Sequence, residues 1–362
     1  MGKNVVVCCD GTANQFAQYN TNVVKLYSTL IDDPERQSIF YHPGIGTREA
    51  PGALTTIGRS ITIALGQAFG YGLERDIAET YAFIMNNYKP DDRLYLFGFS
   101  RGAYTVRAVA ALLHAFGVLR ACHETSIPYA IRLLNAVSEH LEGAERVFRV
   151  HDAFKATFGT GLCKPHFVGV WDTVSSVGWI GNPLKIPYST NNPDIEIGRH
   201  AISIDEHRGF FRQNLWRPNP DPDKPSGPKN IKQVWFAGVH CDVGGGYASE
   251  ESGLSKIALA WMFREAEEHG LLVDAVRRDA VIAAGEGPDP NAKMHDELVA
   301  HPWWWIAEIV PKRHYDWSSR RRDWRLNRGR RRRMPDGSTI HDSVLRRSGY
   351  SPDLPRDYKV ES

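Results

Sequence analysis

Short runs of hydrophobic residues recur along the chain, and each run ends in small or polar residues. The runs are nearly continuous instead of alternating between apolar and polar residues, which is typical of strands covered on both faces, as in parallel sheets. The predicted strands are Asn4–Cys9, Ser38–Tyr41, Arg93–Phe99, His166–Trp171 and Lys232–Val239.

Between these runs the hydrophobic residues return at helical spacing. In GLERDIAETYAFIMNNY (Gly72–Tyr88), Leu73, Ile77, Tyr81 and Ile84 share one face. The other predicted helices are Arg101–Phe116, Ile127–Glu142 and Glu250–His269. Strands that alternate with helices predict an α/β fold with a mostly parallel, doubly wound sheet and helical insertions.

Composition narrows the class of protein. The 362 residues, 42% of them hydrophobic, are enough to bury a large core, and the net charge of +2 is close to neutral. The five cysteines show no C-x-x-C spacing, which predicts reduced thiols and neither a disulfide framework nor a zinc site. No stretch approaches the roughly 18 apolar residues of a membrane span, and MGKNVVVCCDGT does not fit a signal peptide. We therefore expect a cytoplasmic protein, with secretion by a signal-less route left open, and no metal or other cofactor.

The apolar run LYLF leads into Gly98–Gly102 (GFSRG), which fits the G-x-S-x-G nucleophile elbow of the α/β-hydrolases. In that motif the chain turns from a strand into a helix within a residue or two, so the serine is strained and exposed at the sheet edge. Side chains two positions before and after the serine would collide there, and both positions are glycine. The predicted strand before the motif and the predicted helix after it favour Ser100 as a nucleophile over a tight turn without chemistry.

A serine hydroxyl is a weak nucleophile unless a histidine takes its proton and a carboxylate holds that histidine. His240 directly follows a predicted strand in VWFAGVHCDVGGGY, and Asp172 ends the strand before it in HFVGVWDTVSSVG. The order Ser, Asp, His along the chain is that of an α/β-hydrolase. We predict Ser100, Asp172 and His240 as the catalytic residues, with Asp205 left open as the acid and His341 as the base.

Backbone N–H groups must receive the negative charge that develops on the substrate oxygen. Arg101, the first residue of a predicted helix, offers one such group at a helix N-terminus. The second is expected from the turn after the first strand, where Gly11 or Thr12 would donate and Asp10 would brace the loop. An apolar strand followed by D-G-T also resembles the haloacid-dehalogenase phosphatases, but Cys8 stands where they need a nucleophilic aspartate.

The C-terminal third differs in character from the rest of the chain. Trp303–Trp305 is followed by Ser318–Arg333 (SSRRRDWRLNRGRRRR), which carries nine arginines against one aspartate. Tryptophans beside arginines favour binding to an anionic membrane surface, through Arg320–Arg333, over nucleic acid, for which no motif is present. The alternative is that the tryptophans pack on the core and the arginines are solvated. We predict a catalytic domain over residues 1–300, a Trp/Arg-rich segment over 301–347 packed on it, and a tail over 348–362.

Seven short motifs, taken in their order along the chain, resemble one protein family. They are CDGT, TNV, YHPGIGT, GFSRGAYTVRA, GVWDTV, GVHCDVGGGY and HDSVLRR. Over about Val5–Arg347 the chain resembles the α/β-hydrolase family of type VI secretion phospholipase effectors. The resemblance implies a triad on Ser100, Asp172 and His240, and a phospholipase A activity on acyl esters of glycerophospholipids without a metal. A carboxylesterase acting on soluble or non-phospholipid esters, and a non-catalytic protein that binds anionic membranes, are the alternatives.

Overall fold

The computed structural model describes residues 2–11, 19–44, 69–139, 144–174, 178–179, 182–183, 186–217, 227–309, 311–316 and 321–362. Within these residues an eight-stranded sheet forms the centre of the fold, and its neighbouring strands all run parallel. Its strands are β1 (Asn4–Cys9), β2 (Gln37–His42), β3 (Arg93–Phe99), β4 (Pro165–Trp171), β5 (Ile197–Ser203), β6 (Asn230–Phe236), β7 (Ser338–His341) and β8 (Tyr358–Glu361). In space they are ordered β8-β7-β6-β5-β4-β3-β1-β2.

Helices cover both faces of this sheet. They are α1 (Asn22–Thr29), α2 (Phe69–Asn87), α3 (Arg101–Phe116), α4 (Ile127–Glu139), α5 (Ala144–Phe158), α6 (His240–Gly244), α7 (Gly253–Glu268), α8 (Ala275–Ala283), α9 (Glu297–Ala300), α10 (Trp304–Glu308) and α11 (Ser343–Arg346). Shorter strand pairs lie outside the sheet: Val118–Leu119 with Gly159–Gly161, Gly178–Trp179 with Asn182–Pro183, and Lys312–Asp316 with Arg321–Arg325. Among the described helices, none is both long and apolar enough to cross a lipid bilayer.

The alternation of side chains along β1 explains why the strands read as continuous hydrophobic runs. Val5 and Val7 belong to the hydrophobic cluster that contains residues of α2 and α3, whereas Val6 and Cys8 belong to the cluster that contains residues of α1 and α7. Because both faces are buried, polar residues are not needed on either. The predicted α/β fold with a mostly parallel, doubly wound sheet is confirmed.

The five predicted strands and four predicted helices are all present, with their ends shifted by a few residues. The strand predicted to run to Val239 ends at Phe236, since Gly238 (φ +108°) turns the chain toward α6. The sequence reasoning missed the strands β5, β7 and β8, the helices α1, α5, α6 and α8 to α11, and the strand pairs outside the sheet. Two of these strands, β7 and β8, come after residue 300 and pair at one edge of the sheet, so the central sheet extends beyond the range predicted for the catalytic domain.

Candidate active site

Ser100 forms the turn between β3 and α3, in a backbone conformation that an L-residue rarely adopts. Its φ is +57° and its ψ −116°. Such a conformation costs on the order of 1–3 kcal/mol and persists where the surrounding structure enforces it. Here the Ser100 N–H donates to the carbonyl of Trp171 at 3.0 Å, which ties the turn to the end of β4. The strained elbow therefore lies at the carboxyl ends of two adjacent central strands.

The two glycines of the GFSRG motif are required by close backbone contacts. A Cβ on Gly98 would lie 2.6 Å from the nitrogen of Ala103, and a Cβ on Gly102 would lie 2.1 Å from the carbonyl oxygen of Cys9. Both neighbouring atoms belong to the backbone and have little room to move. The second contact also shows that the end of β1 lies directly against the first turn of α3.

We expect Gly102→Ala to lower the free energy of unfolding by about 1–3 kcal/mol or more, because the added methyl group overpacks the elbow against β1. Denaturant unfolding would measure the change. Gly161→Ala is the matched control, since no described atom beyond its two neighbours in the chain lies within 4 Å of a Cβ built at Gly161. Equal stability of the two variants would contradict the close approach of β1 and α3.

Asp172 follows β4 and is completely buried. Its Oδ2 lies 2.5 Å from Nδ1 of His240, and its Oδ1 accepts the backbone N–H of Ser203 at 3.0 Å. The Arg332 guanidinium contacts both carboxylate oxygens, at 2.5 Å and 3.0 Å. Burial by itself raises the pKa of Asp172, but the charge of Arg332 and the hydrogen bond to His240 outweigh it and hold this pKa below its usual range. Asp172 is therefore ionised at neutral pH.

His240 begins α6 and is buried between two aromatic rings. The imidazole centroid lies 4.5 Å from that of Phe99, which precedes Ser100, and 4.8 Å from that of Phe211. Burial lowers the pKa of His240, and the contact with Asp172 opposes that shift only in part. Because Nδ1 faces Asp172, Nε2 is the nitrogen that remains to exchange a proton with a nucleophile beside Phe99.

Asp205, the alternative acid, and His341, the alternative base, make other contacts. Asp205 Oδ2 accepts the N–H of Gly238 at 2.8 Å and the hydroxyl of Tyr350 at 2.6 Å, so it joins the loops after β5 and β6. His341 ends β7, where its Nδ1 lies 2.9 Å from Oγ of Ser343 and its ring stacks on Phe236. Among the described contacts, the carboxylate that reaches His240 Nδ1 is that of Asp172.

The turn after β1 is organised by the side chain of Asp10. The carboxylate accepts the N–H of Gly11 at 2.7 Å, the hydroxyl of Thr21 at 2.8 Å and that of Tyr41 at 2.9 Å. In this structure the Gly11 N–H is therefore engaged by Asp10, and Thr12 lies outside the described residues. Arg101, the other predicted donor, is the first residue of α3, next to Ser100.

Part of the predicted Trp/Arg-rich segment lies against the site. The Trp304 ring packs on Phe211, with centroids 5.5 Å apart, and Phe211 packs in turn on His240. Glu308 is completely buried and accepts the N–H groups of Gly209 at 2.5 Å and Gly329 at 2.9 Å. These contacts join the segment to the loop after β5.

Sequence reasoning missed the contact between Arg332 and Asp172. The arginine lies in a run that is typical of a solvated or membrane-binding stretch, and no local pattern marks it as buried. The neighbouring Arg330, Arg331 and Arg333 are exposed.

Residues 3–265 match the model of the protein family described as "T6SS, Phospholipase effector Tle1-like, catalytic domain". An uncharacterized protein of Saccharomyces cerevisiae is 34% identical over 229 residues, which are 60% of this chain and 33% of the yeast protein. The chain thus spans about a third of the length of that relative.

Two solved structures are similar to this chain at lower sequence identity. An uncharacterized protein from Pseudomonas aeruginosa is 20% identical, with a TM-score of 0.43, over 75% of this chain and 46% of its own. The Tle1 effector bound to the VgrG spike from the type VI secretion system is 18% identical, with a TM-score of 0.34, over 70% of this chain and 53% of its own.

Proposed function

Because the chain belongs to the family of Tle1-like catalytic domains of type VI secretion phospholipase effectors, we propose that it is a serine phospholipase A that hydrolyses acyl esters of glycerophospholipids. The observation that carries the proposal is the 2.5 Å contact between Asp172 Oδ2 and His240 Nδ1, beside the strained turn at Ser100. A buried carboxylate that holds a neutral imidazole, with that imidazole packed on the residue before an elbow serine, supports the acyl-transfer arrangement of a Ser-His-Asp triad.

In the proposed mechanism Ser100 Oγ attacks the ester carbonyl while His240 Nε2 takes the hydroxyl proton. Asp172 holds the imidazole in the tautomer that leaves Nε2 free of a proton, and stabilises the cation that forms. The backbone N–H of Arg101 stabilises the oxyanion. Thr12 stays the predicted second donor, because the N–H of Gly11 already donates to Asp10. His240 then protonates the departing alcohol, which leaves an acyl group on Ser100. Water attacks this ester, its proton passes to His240, and the fatty acid leaves as the proton returns to Ser100.

A lipid substrate is supported by a group of exposed hydrophobic side chains, which we call the interfacial patch. Its members are Val299, Trp303, Trp305, Ile306, Ile309 and Trp324. Exposed tryptophans with neighbouring arginines suit the boundary between headgroups and acyl chains of an anionic bilayer. Trp304, between two patch residues, reaches His240 through Phe211, so a membrane on this patch would lie close to the proposed base.

Replacing Arg330, Arg331 and Arg333 with serine, while Arg332 is kept, should weaken binding to anionic liposomes by about 100-fold. Each arginine near such a surface contributes about 1 kcal/mol. Binding to zwitterionic liposomes should change little, and vesicle co-sedimentation would measure both. The matched control replaces Arg36, Arg75 and Arg277, which are also exposed, with serine. Equal weakening in the control, or no difference between the two lipids, would contradict this role of the arginines.

The substrate is tested by incubating the protein with phospholipid vesicles and with soluble nitrophenyl esters, and identifying products by mass. We expect a free fatty acid and a lysophospholipid from the vesicles. Cleavage of soluble esters alone would favour the carboxylesterase. Binding to vesicles without any product would favour the non-catalytic alternative. Cytoplasmic location and signal-less secretion stay predictions.

A further inference from the structure

Arg332 is buried, although the other arginines of the run Arg330–Arg333 are exposed. Its side chain is 1% exposed. Besides its two contacts with Asp172, it donates to Oγ of Ser203 at 2.7 Å, to the Ser203 carbonyl at 3.2 Å and to the carbonyl of Phe211 at 3.1 Å. Ser203 ends β5, and Phe211 lies in the loop after β5, where its ring packs on His240. A solvated or membrane-binding role does not account for this side chain.

Building on the proposed serine hydrolase, we propose that Arg332 is a positioning residue of the triad. It fixes the Asp172 carboxylate against His240, and it sets the lower end of the pH range in which His240 acts as a base. Arg332 lies beyond residues 3–265, which match the family model, so the acid of the site is completed by a part of the chain outside that match.

The planar guanidinium suits this task because its fork of N–H groups matches both oxygens of a carboxylate. Two opposed effects follow for His240. The bidentate contact keeps Asp172 from rotating away from Nδ1, which favours catalysis. The positive charge also compensates part of the Asp172 charge, so an imidazolium at His240 is stabilised less than it would be by a lone carboxylate. With Arg332 in place, His240 stays neutral to a lower pH.

Other titratable groups surround Asp172, His240 and Arg332. His200, Glu206, Arg208 and Arg212 interact electrostatically with Asp172, His240 or Arg332, and Cys241 and Asp242 follow His240 in α6. Glu206 and Arg208 pair with each other at 2.7 Å, and Asp242 pairs with His295 at 2.7 Å, which offsets much of their charge.

Of the remaining three groups, two are neutral near pH 7 and one is a cation. Burial lowers the pKa of His200 to about 3 and raises that of Cys241 to about 12, so both are neutral near pH 7. Burial also lowers the pKa of Arg212, to about 10, and this arginine stays charged. Among the described contacts, the cation that touches Asp172 directly is Arg332.

The kinetic test measures kcat/KM for a soluble nitrophenyl ester as a function of pH in wild type and Arg332→Gln. His240 must be neutral to accept the proton, so the rate falls as the pH drops through its pKa. Without the guanidinium this pKa rises, and we expect the acid limb to move up by about one pH unit. At pH 7 the variant should be at least about tenfold slower than wild type, with part of the rate recovered at pH 9.

Arg199→Gln is the matched control, because Arg199 is also buried and pairs with Glu265 at 2.5 Å, away from the triad. It should lower stability while leaving the acid limb in place. An unmoved limb in Arg332→Gln, or the same shift in Arg199→Gln, would overturn the proposal. If Arg332→Gln does not fold, Arg332→Lys keeps the charge but loses the fork. The acid limb of Arg332→Lys should stay within about half a pH unit of wild type, and its kcat should be several-fold lower. An unchanged kcat would contradict the positioning role of Arg332.

A second readout needs no substrate. In the Ser100→Ala protein, the His240 ring is titrated by NMR with and without Arg332→Gln, and the pKa of His240 should be higher when the guanidinium is absent. An unchanged titration would overturn the role of Arg332 even if the esterase is active. Conversely, if the wild-type protein does not hydrolyse esters, the proposed function is wrong. The titration would still show whether Arg332 lowers the pKa of His240.

Discussion

Replacing Ser100 with alanine is expected to reduce ester hydrolysis by about 10³–10⁶-fold while the protein still folds. The variant keeps the buried Asp172–His240 pair and the oxyanion donors, but it has no oxygen to form the acyl intermediate. The backbone N–H that donates to Trp171 is unaffected, and alanine bears the positive φ at about the same cost as serine. The thermal melt should therefore remain within a few degrees of wild type.

Initial rates on a short-chain nitrophenyl ester measure the loss. Ser343→Ala is the matched control, because it removes a buried hydroxyl that contacts His341, the alternative base. This control should retain most of the wild-type rate. Undiminished hydrolysis by Ser100→Ala would exclude Ser100 as the nucleophile, and a loss confined to Ser343→Ala would redirect the search toward His341.

Asp172→Asn is expected to reduce both activity and stability. An amide can present an N–H to His240 and thereby favour the wrong tautomer, for which a loss of about 10⁴-fold in kcat is the usual scale in a triad. The substitution also leaves Arg332 as a buried cation without its counter-charge, which costs about 3–5 kcal/mol of unfolding free energy. Kinetics on the soluble ester and denaturant unfolding would measure the two effects separately.

Two further variants separate the chemical role of Asp172 from its structural role. Asp172→Asn combined with Arg332→Met should recover much of the lost stability, because both charges are gone, but none of the activity. Asp205→Asn, which breaks contacts with Gly238 and Tyr350, should lower stability and keep the activity within about tenfold of wild type. A larger loss of activity in Asp205→Asn than in Asp172→Asn would assign the acid to Asp205.

The elbow could be recognised from the sequence because the residues that specify it are local. A buried strand, a serine between two glycines and a helix follow one another within residues 93–116. The close contacts of Gly98 and Gly102 are with the backbone of the elbow and with the end of β1 and the residue after it. The end of β4 could be predicted in the same way from its hydrophobic run, and that of β6 to within three residues. In a parallel sheet these ends meet at one edge, so the proximity of Asp172 and His240 followed from the fold class.

Strand β5 was missed because its sequence, IGRHAIS, places an arginine and a histidine in the middle of the sheet. Such residues normally argue against a buried strand, since a buried charge needs a partner. Arg199 finds that partner in Glu265 of α7, 66 residues further along the chain. No pattern within the strand indicates such a pair.

By itself, the sequence determined the alternation of strands and helices, the parallel sheet and the turn that strains Ser100, because neighbouring residues and the period of hydrophobic burial specify these features. Tertiary structure alone decided that Asp172 and not Asp205 reaches His240, and that one arginine of an apparently solvated run is buried against that carboxylate. The physical reason is that a buried charge is stabilised by partners brought together in space. Asp172 and Arg332 are 160 residues apart in sequence, and no local pattern around either residue indicates the other.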